Sequence, residues 1–420
     1  MRITVHRGSH QIGGTCIEIA SGSARIVLDA GLPLDADPQG KNLPPPVAGL
    51  FDREGPSVDG LFLSHAHADH SGLIAASRAQ VPVWMSEGTS KMILAGSLFA
   101  RQPSVPKARR KILVAGQAMR VGPFRVTAYP VDHSVYDAMA FLVEVEGRRV
   151  LYTGDLRFHG RKPGMARELA RIVQKAPLDA LLIEGTRLGG RASEANLSEK
   201  ELEKQLVADF KAAPGIVLGM YSPLNVDRFV TYFRAARRSG RTFVIDSYQA
   251  FVLHLIGRKI KVPMPGAVPD LQLWIPPNYT ASVAGRRLGH ADWAKRLGKG
   301  AITAEEINRD PKRYVVLFRQ SMQKGLFGNN LPPCVSCVFS YWPGYLKELR
   351  TQALLAEVYA AGGNLLQRHA SGHAHPDDLR RFAEELNPRL LIPVHTTSPE
   401  TWARWRSATK LMDDGQPITV

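Results

Sequence analysis

The chain has 420 residues, of which 44% are hydrophobic, and a formal net charge of +16 at pH 7. This length is typical of two or three domains, and no apolar run is long enough to cross a bilayer. With a polar N-terminal stretch and three cysteines, we expect neither a signal peptide nor a disulfide framework, and therefore a soluble, cytoplasmic protein. The positive charge favours a polyanionic partner such as nucleic acid, but it does not locate the binding face.

The first half of the chain alternates short apolar runs with polar segments, as layered α/β folds do. The pattern predicts a helix over 71–80 and strands at 15–20, 25–28, 61–63, 124–129, 140–145, 149–152 and 178–183. Several apolar runs lead directly to a polar residue: Asp29, His65, His133, Asp155, Glu184 and His395. Because strand ends hold the site in such folds, we expect these side chains to lie together.

The pattern changes from residue 196 to residue 363. It predicts helices over 199–212, 226–238 and 249–257, strands at 216–220 and 242–245, and irregular structure over the proline-rich stretch 263–277. The later part of this segment is basic, through Arg286, Arg287, Lys295, Arg296, Lys299, Lys312 and Arg313. Histidines return after residue 364. We therefore predict a first domain over 1–195 that resumes over 364–420 and is interrupted by a second α/β domain over 196–363.

A six-residue motif, His65-Ala66-His67-Ala68-Asp69-His70, concentrates potential metal ligands. Side chains at i and i+2 of an extended segment point the same way, so His65 and His67 can reach one ion. Asp69 and His70 would then turn towards a second ion. Imidazole together with carboxylate suits zinc, and also manganese or iron. A ligand set without cysteine but with carboxylates leaves room for water, which indicates a catalytic site rather than a structural one.

The motif and six further positions resemble the metallo-β-lactamase superfamily and, within it, the β-CASP nucleases. That branch includes ribonuclease J-like enzymes and mRNA 3′-end-processing endonucleases. The further positions are Asp29, His133, Asp155, Glu184, His373 and His395. Residues 369–374, which read His-Ala-Ser-Gly-His-Ala, are especially similar to ribonuclease J. The resemblance implies an α/β fold of the αββα four-layer sandwich type, with an inserted α/β β-CASP domain.

Two segments depart from the pattern that is usual in the family. The chain has Glu184-Gly185-Thr186 where the family often has Glu-Ser-Thr. Residues 393–397 read Pro-Val-His-Thr-Thr where the family often has Pro-Val-His-Gly-Glu. Both departures adjoin residues that the resemblance assigns to the site.

Transferred position by position, the resemblance implies two divalent metal ions, most simply Zn²⁺ with Mn²⁺ as the alternative. The implied ligands are His65, His67 and His133 for one ion, Asp69, His70 and His395 for the other, and Asp155 as the bridge. Asp29 would hold a ligand histidine through its other ring nitrogen. The implied catalytic residues are Asp69, Glu184 and His373, with Glu184 and His373 delivering the proton to the departing oxygen.

The resemblance further implies hydrolysis of RNA phosphodiesters by a metal-bound hydroxide, which leaves 5′-phosphate and 3′-hydroxyl ends. Five residues are candidate RNA contacts: Ser222, Asn225, Arg228, His369 and Ser371. The basic stretch of the insert would bind the phosphate backbone. Both endonuclease and 5′-exonuclease action, and a homo-oligomeric assembly, remain open.

Three alternatives also remain. The chain could be a small-molecule hydrolase, such as a thioesterase or lactonase, on the same metal core. It could be a β-CASP DNA nuclease or a catalytically idle RNA-binding module. The insert and the positive charge argue against the first, His395 argues against the second, and the complete ligand set argues against the third.

Overall fold

The structure is a computed structural model that describes residues 1–36, 44–52, 55–277, 279, 287–288 and 297–420. Within these ranges the chain divides into two compact units, Met1–Ala195 with Gly372–Val420, and Asn196–Ser371. The second unit is therefore inserted into the first. It extends past residue 363, where the sequence placed its end, because strand Asn364–Gln367 pairs in parallel with strand Ser336–Phe339 of the same unit.

The described residues up to 195 form runs of consecutive strands with helices between them. The strands are β1 (Arg2–Arg7), β2 (Cys16–Ser21), β3 (Ala24–Leu28), β4 (Gly60–Phe62), β5 (Val83–Ser86), β6 (Arg110–Leu113), β7 (Ala118–Val121), β8 (Phe124–Pro130), β9 (Met139–Val145), β10 (Arg148–Tyr152) and β11 (Ala180–Glu184). The helices are α1 (Ala68–Ser71), α2 (Glu87–Phe99) and α3 (Gly164–Val173).

In the inserted unit, strands and helices alternate along most of the chain. Its described strands are β12 (Val217–Met220), β13 (Thr242–Asp246), β14 (Leu271–Trp274), β15 (Ala301–Ile302), β16 (Tyr314–Leu317), β17 (Ser336–Phe339) and β18 (Asn364–Gln367). Its described helices are α4 (Glu199–Ala212), α5 (Val226–Arg238), α6 (Ser247–Ile256), α7 (Ala304–Arg309), α8 (Gln323–Phe327) and α9 (Leu349–Ala360). The chain then returns to the first unit through α10 (Pro376–Leu386), β19 (Leu390–Val394), α11 (Glu400–Trp405) and β20 (Pro417–Thr419).

Two sheets make up the described part of the first unit. Their strand orders are β20-β1-β2-β3-β4-β5-β6 and β19-β11-β10-β9-β8-β7. Strands β3, β4, β5 and β6 run parallel, as do β10, β11 and β19. Parallel neighbours end at the same edge of a sheet, so the loops that follow β3, β4, β10, β11 and β19 leave from the carboxyl edges of the two sheets.

The two sheets share one hydrophobic core, to which both contribute alternate residues. The rings of Phe62 and Phe141, from the first and second sheet, lie 5.9 Å apart in an edge-to-face arrangement. Helix α2 packs on β5 and β6, whereas α3 packs on β8 and on α10. Each sheet thus buries one face against the other sheet and carries a helix layer on its outer face, which confirms the predicted four-layer α/β architecture.

The inserted unit has a single described sheet of parallel strands, in the order β15-β14-β13-β16-β12-β17-β18. Helix α4 begins at the residue predicted from the sequence, because Ser198 and Glu201 form a capping box around its first turn. The predicted irregular stretch 263–277 is wrong in part, since β14 pairs with β13 along the register Phe243↔Leu271 to Asp246↔Trp274. Leu271-Gln272-Leu273 alternates apolar and polar residues as a strand does, but the prolines around it led to the prediction of irregular structure.

The predicted helix over 71–80 is also wrong. Helix α1 ends at Ser71, and only a short 3-10 turn follows at Ile74–Ala76. In a longer helix, the His70 carbonyl and the Leu73 amide would bond within the helix. Here both bond to the loop after β3 instead: Ala30 N donates to His70 O, and Leu73 N donates to Ala30 O. Tertiary pairing therefore ends the helix directly after the two ligand candidates, Asp69 and His70.

A buried carboxylate in the first sheet gives a pH-dependent prediction. Although burial opposes ionisation, hydrogen bonds from His6 and Arg25 lower the pKa of Glu18 from 4.5 to about 2. A depressed carboxyl pKa stabilises the fold above pH 4.5, and this stability is lost as the pH falls to about 2. Glu18→Gln should therefore lower the free energy of unfolding by about 1–3 kcal/mol at pH 7.

Urea unfolding of Glu18→Gln and the parent chain at pH 7, 4 and 2.5 checks this expectation, because the difference should shrink as the pH falls. Glu168→Gln is the control, since Glu168 is solvent-exposed and pairs with Arg171 at the surface. A stability difference that is the same at all three pH values would contradict the assigned role of the Glu18 charge.

Candidate active site

The carboxyl edges of the two sheets bring together residues that are far apart in the chain. Asp29 follows β3, the six-residue motif follows β4, and Asp155 follows β10. Glu184 ends β11, and His395 follows β19 directly. His133 enters from the loop after β8. All of these residues belong to the first unit, so their mutual geometry does not depend on the insert.

His65, His67 and His133 form a first ligand cluster, in which one ligand atom of each residue lies within 4.8 Å of the others. His133 Nε2 lies 3.1 Å from His67 Nδ1, and His133 Nδ1 donates to the Gly372 carbonyl at 2.6 Å. Burial lowers the pKa of His65 and His133 well below the usual value, and that of His67 to about 4. The three imidazoles are therefore neutral at pH 7, the form that binds metal ions.

Asp69, His70, Asp155 and His395 form a second ligand cluster, again with ligand atoms within 4.8 Å of one another. His70 Nε2 lies 3.1 Å from Asp155 Oδ2, and His395 Nε2 lies 3.2 Å from Asp69 Oδ2. Although burial opposes ionisation, the neighbouring histidines, His395 foremost, hold the pKa of Asp155 well below its usual value. The second cluster is thus a pair of ionised carboxylates among histidines.

Asp155 lies between the two clusters. Its Oδ2 is 3.1 Å from His70 Nε2, 3.7 Å from His65 Nε2 and 3.8 Å from His133 Nε2. Among the described residues, His65 Nε2, His70 Nε2 and both Asp155 oxygens are buried and lack a hydrogen bond of acceptable geometry. Buried polar atoms of native proteins are normally satisfied. Lone pairs that converge in this way fit divalent cations, so the donor set suits a metal centre.

Asp29 holds the ring of His70. Its Oδ2 accepts from His70 Nδ1 at 2.8 Å and from the Tyr152 hydroxyl at 2.6 Å. Ser64 N and Ser64 Oγ also donate to this carboxylate, each at 2.7 Å. With Nδ1 as donor, His70 presents Nε2 to Asp155. This contact is compatible with the role that the resemblance implies for Asp29, a carboxylate on the far side of a ligand ring.

Glu184 and His373 form a separate pair beside Asp155. His373 Nδ1 lies 3.2 Å from each carboxylate oxygen of Glu184 and 3.7 Å from Asp155 Oδ2. Leu156 N and Thr186 N donate to the same carboxylate, each at 3.1 Å. Although burial lowers it, the charges of Glu184 and Asp155 raise the pKa of His373 above its usual value. Glu184 is fully buried, whereas 19% of the His373 side chain is exposed.

The candidate RNA contacts all lie in the inserted unit, and two of them need correction. Arg228 does not line a channel: its side chain is 1% exposed, pairs with Glu199 at 3.0 Å and donates to the carbonyls of Ser340 and Ala370. A buried guanidinium must be paired in this way. Asn225 is buried as the N-cap of α5, where its side chain accepts from Arg228 N at 3.0 Å.

The other three contacts are compatible with a binding role. His369 and Ser222 are partly exposed, and Ser371 is buried beside His369 in the chain. Of the basic stretch, Arg287, Lys299, Lys312 and Arg313 are exposed to solvent. The other three members of that stretch lie outside the described residues: Arg286, Lys295 and Arg296.

Several residues that contact the candidate ligands were missed by the sequence reasoning. Ser64 and Tyr152 both donate to Asp29, and the Thr186 hydroxyl lies 2.7 Å from His395 Nδ1. Arg157 Nε donates to Asp132 at 2.9 Å, which ties the loop of His133 to the loop of Asp155. These residues could have been found from the sequence by their position, since each lies within a few residues of a predicted site residue.

The two departures from the family pattern are explained by one contact. A Cβ atom on Gly185 would lie 2.9 Å from both Cβ and Oγ1 of Thr396, and 2.7 Å from Leu188 Cδ1. Separations below 3.0 Å are essentially never seen for real Cβ atoms. A serine at 185 and a threonine at 396 would therefore compete for the same space. This chain has glycine at 185 and threonine at 396, whereas the usual family pattern has serine at the first position and glycine at the second.

This contact predicts a compensating pair of substitutions. Gly185→Ser should lower the free energy of unfolding by about 1–3 kcal/mol through overpacking. Adding Thr396→Gly should recover part of that loss, with a coupling energy of about 1–3 kcal/mol between the two positions. Chemical denaturation of the two single variants and the double variant measures the coupling. Additive losses would show that the two positions do not compete for space.

Comparison with known proteins gives consistent results. The family model of the beta-lactamase superfamily domain matches residues 24–203. Ribonuclease J 2 of Streptococcus pyogenes is 23% identical over 398 residues, which cover 92% of this chain and 68% of that protein. Ribonuclease J of Mycobacterium tuberculosis is 28% identical over 429 residues, which cover 98% of this chain and 71% of that protein.

A solved structure extends the similarity to the fold of the whole chain. The crystal structure of a protein of unknown function from Enterococcus faecalis superposes with a TM-score of 0.78 at 23% sequence identity. The superposition covers 100% of this chain and 99% of the other. Among the described residues, no helix has both the length and the apolar character needed to cross a bilayer.

The ligand clusters suit divalent metal ions, the family model matches the part of the chain that carries most of them, and two ribonucleases J match nearly its whole length. Together, the metallo-β-lactamase-type domain over residues 24–203 and the near full-length similarity to ribonucleases J support a ribonuclease J-like member of the β-CASP family.

Proposed function

We propose that this chain is a ribonuclease that uses two divalent metal ions to hydrolyse RNA phosphodiesters and leaves 5′-phosphate and 3′-hydroxyl ends. The observation that carries the proposal is the convergence of both ligand clusters on one buried carboxylate, Asp155, with the Glu184–His373 pair beside it. RNA is favoured as the substrate because the relatives that match nearly the whole chain are named ribonucleases J.

The first ligand cluster would hold one ion and the second would hold the other, with Asp155 shared between them. A ligand set of imidazole and carboxylate without cysteine favours Zn²⁺, with Mn²⁺ as the alternative. When bound, two such ions supply a nucleophilic water at neutral pH and neutralise charge on the phosphate oxygens. Asp29 and the Gly372 carbonyl hold His70 and His133 in the required orientation.

Asp69 differs from the other acidic ligand in its exposure. Its side chain is 17% exposed, whereas that of Asp155 is 1% exposed. Asp69 can therefore touch substrate or the attacking water as well as bind an ion, which supports its place among the catalytic residues. Asp155 is enclosed by histidines and serves to hold the two ligand clusters together.

His373 is the proposed proton donor. Its Nδ1 is held by both oxygens of Glu184, so its other ring nitrogen, Nε2, would deliver a proton to the departing 3′-oxygen. The raised pKa of His373 favours its imidazolium form, which can donate a proton. The Glu184 carboxylate, which also accepts from two backbone amides, can stabilise that positive charge.

The insert would supply RNA contacts. His369, Ser371 and Ser222 carry groups that hydrogen-bond phosphate oxygens, and the exposed cations Arg287 and Lys299 add charge. Such contacts to the backbone position a strand without reading its sequence, so we expect little base preference and a steep loss of affinity with salt. A small-molecule hydrolase or DNA nuclease is not favoured, because neither accounts for the match to ribonucleases J over both units.

Purified protein should be incubated with RNA and with DNA of the same sequence, each labelled at the 5′ or 3′ end, and with a thioester, in the presence of Zn²⁺ or Mn²⁺. We expect cleavage of RNA, with products that a 5′-phosphate-dependent exonuclease degrades. A ladder of fragments from 5′-labelled RNA indicates endonuclease action, whereas release of the labelled mononucleotide indicates 5′-exonuclease action. Thioester hydrolysis without RNA cleavage would refute the proposal.

A further inference from the structure

The Thr186 side chain makes two contacts to a single residue. Thr186 is buried in the turn after β11, and its Oγ1 lies 2.7 Å from His395 Nδ1 and 3.3 Å from His395 O. A carbonyl oxygen only accepts, so the hydroxyl donates to it and uses a lone pair to accept from Nδ1–H. With Nδ1–H held by Thr186, Nε2 is the nitrogen that can give up its hydrogen and bind an ion, and it lies 3.2 Å from Asp69 Oδ2 of the second cluster.

The backbone of His395 is itself strained. Its φ is 52°, in the left-handed region that non-glycine residues seldom adopt. Such a conformation is unfavourable for a residue with a side chain and persists only where the surroundings hold it in place. His395 N donates to the Gly8 carbonyl at 2.6 Å on one side, while the Thr186 hydroxyl holds the carbonyl and the ring on the other.

Three other ligand histidines have a described partner on their second nitrogen. His65 Nδ1 lies 3.0 Å from the Ser64 hydroxyl, and the other two use oxygens that only accept. His70 donates Nδ1–H to the Asp29 carboxylate, and His133 donates Nδ1–H to the Gly372 carbonyl. These are the usual partners of a metal-binding histidine. Thr186 performs the same task for His395 with a neutral hydroxyl that also binds the strained backbone.

We propose that Thr186 is a positioning residue of the metal centre: its hydroxyl selects the tautomer and ring orientation in which His395 Nε2 is available to an ion. The inference rests on the proposed function in treating His395 as a ligand of the second cluster. Thr186 also donates its backbone amide to Glu184 at 3.1 Å, but a side-chain substitution leaves that bond in place. The effect of losing the hydroxyl should therefore be confined to His395.

Thr186→Val tests the proposal, because it removes the hydroxyl and keeps the shape, while Thr186→Ser keeps the hydroxyl. In the full chain, affinity for the ion at the second cluster should fall about 10–100-fold in Thr186→Val and stay within about threefold of the parent in Thr186→Ser. Competition with a chromophoric chelator measures the affinity of each ion. The absorption bands of bound Co²⁺ report on the coordination geometry and should change only in Thr186→Val.

Thr89→Val is the matched control, since Thr89 is equally buried in the same unit but its hydroxyl contacts only Ser86 and the Asp137 carbonyl among the described residues. It should lower the melting temperature without altering metal affinity. Selective ¹⁵N labelling of histidine in the Zn²⁺-loaded chain adds a readout that needs no RNA. The His395 signals, assigned by their loss in His395→Gln, should show Nδ1–H with Nε2 bound to the ion in the parent and a mixture of states in Thr186→Val.

The proposal is overturned if Thr186→Val keeps the parent's metal affinity, Co²⁺ spectrum and His395 tautomer and loses only thermal stability. It is also overturned if folded Thr186→Ser behaves like Thr186→Val. If the parent cleaves no RNA but the tautomer and metal results hold, the proposed function fails while the role of Thr186 stands.

Discussion

Asp155→Ala is expected to lose metal binding and nuclease activity together. The carboxylate lies between the two ligand clusters, within 3.1–3.8 Å of three ligand histidines, and both its oxygens are buried without a described hydrogen-bond partner. Its removal leaves the histidines of both clusters without the one negative charge they share. We expect metal content to fall from about two ions per chain to less than about one, and RNA cleavage to fall to background.

Elemental analysis of the gel-filtered variant, together with the RNA assay, checks this prediction. Asp179→Ala is a matched control, because Asp179 is also a buried aspartate of the first unit, but it pairs with Arg148 and Arg389 at the start of β11. That variant should lose stability and keep its metal. An Asp155→Ala chain that retains two ions would rule out Asp155 as the bridge.

His373→Ala should keep both ions and RNA affinity but lower the turnover of RNA by about 10²–10⁴-fold, the usual contribution of a positioned acid. Glu184→Gln should act in the same direction with a smaller loss, since it removes the charge that raises the pKa of His373. The reason is chemical: the departing 3′-oxygen of RNA is strongly basic and needs a proton as the bond breaks.

A substrate with a good leaving group separates this role from a structural one. Bis(4-nitrophenyl) phosphate releases a weakly basic phenolate that needs no proton, so its hydrolysis should be almost unaffected by His373→Ala. His375→Ala serves as the control, since His375 caps α10 two residues away and is partly exposed. Equal losses on both substrates would remove His373 as the acid, and loss of metal in His373→Ala would make it a ligand instead.

The predictions agree best with the structure where a feature depends only on residues that are close together in the chain. Helix α4 begins where predicted because its capping box, Ser198 with Glu201, is contained in four consecutive residues. The helix predicted over 71–80 fails because its hydrogen bonds go to Ala30, a partner some forty residues away. The insert extends past residue 363 for a similar reason, since β18 is assigned by its pairing with β17.

The candidate site shows the same division. The histidines and acids of the motif could be named from the sequence because side-chain alternation places them on one face and few other roles need three histidines and an aspartate in six residues. Arg228 was misassigned because its exposure is decided by Glu199 and by two carbonyls, Ser340 and Ala370, none of which any local pattern joins to it.

The amino-acid sequence by itself indicated an α/β fold, an interrupted arrangement of two units and the ligand candidates of the six-residue motif, because hydrophobic period, strand ends and a dense motif are properties of short segments. The four-layer fold type and the roles of the other candidate site residues came from the resemblance. Only the tertiary structure decided which unpredicted polar atoms meet: Tyr152 with Asp29 and Thr186 with His395 are separated by 123 and 209 residues. Strand register places Tyr152 and Glu184, the last residues of β10 and β11, since a one-residue shift would turn either side chain to the other face of its sheet.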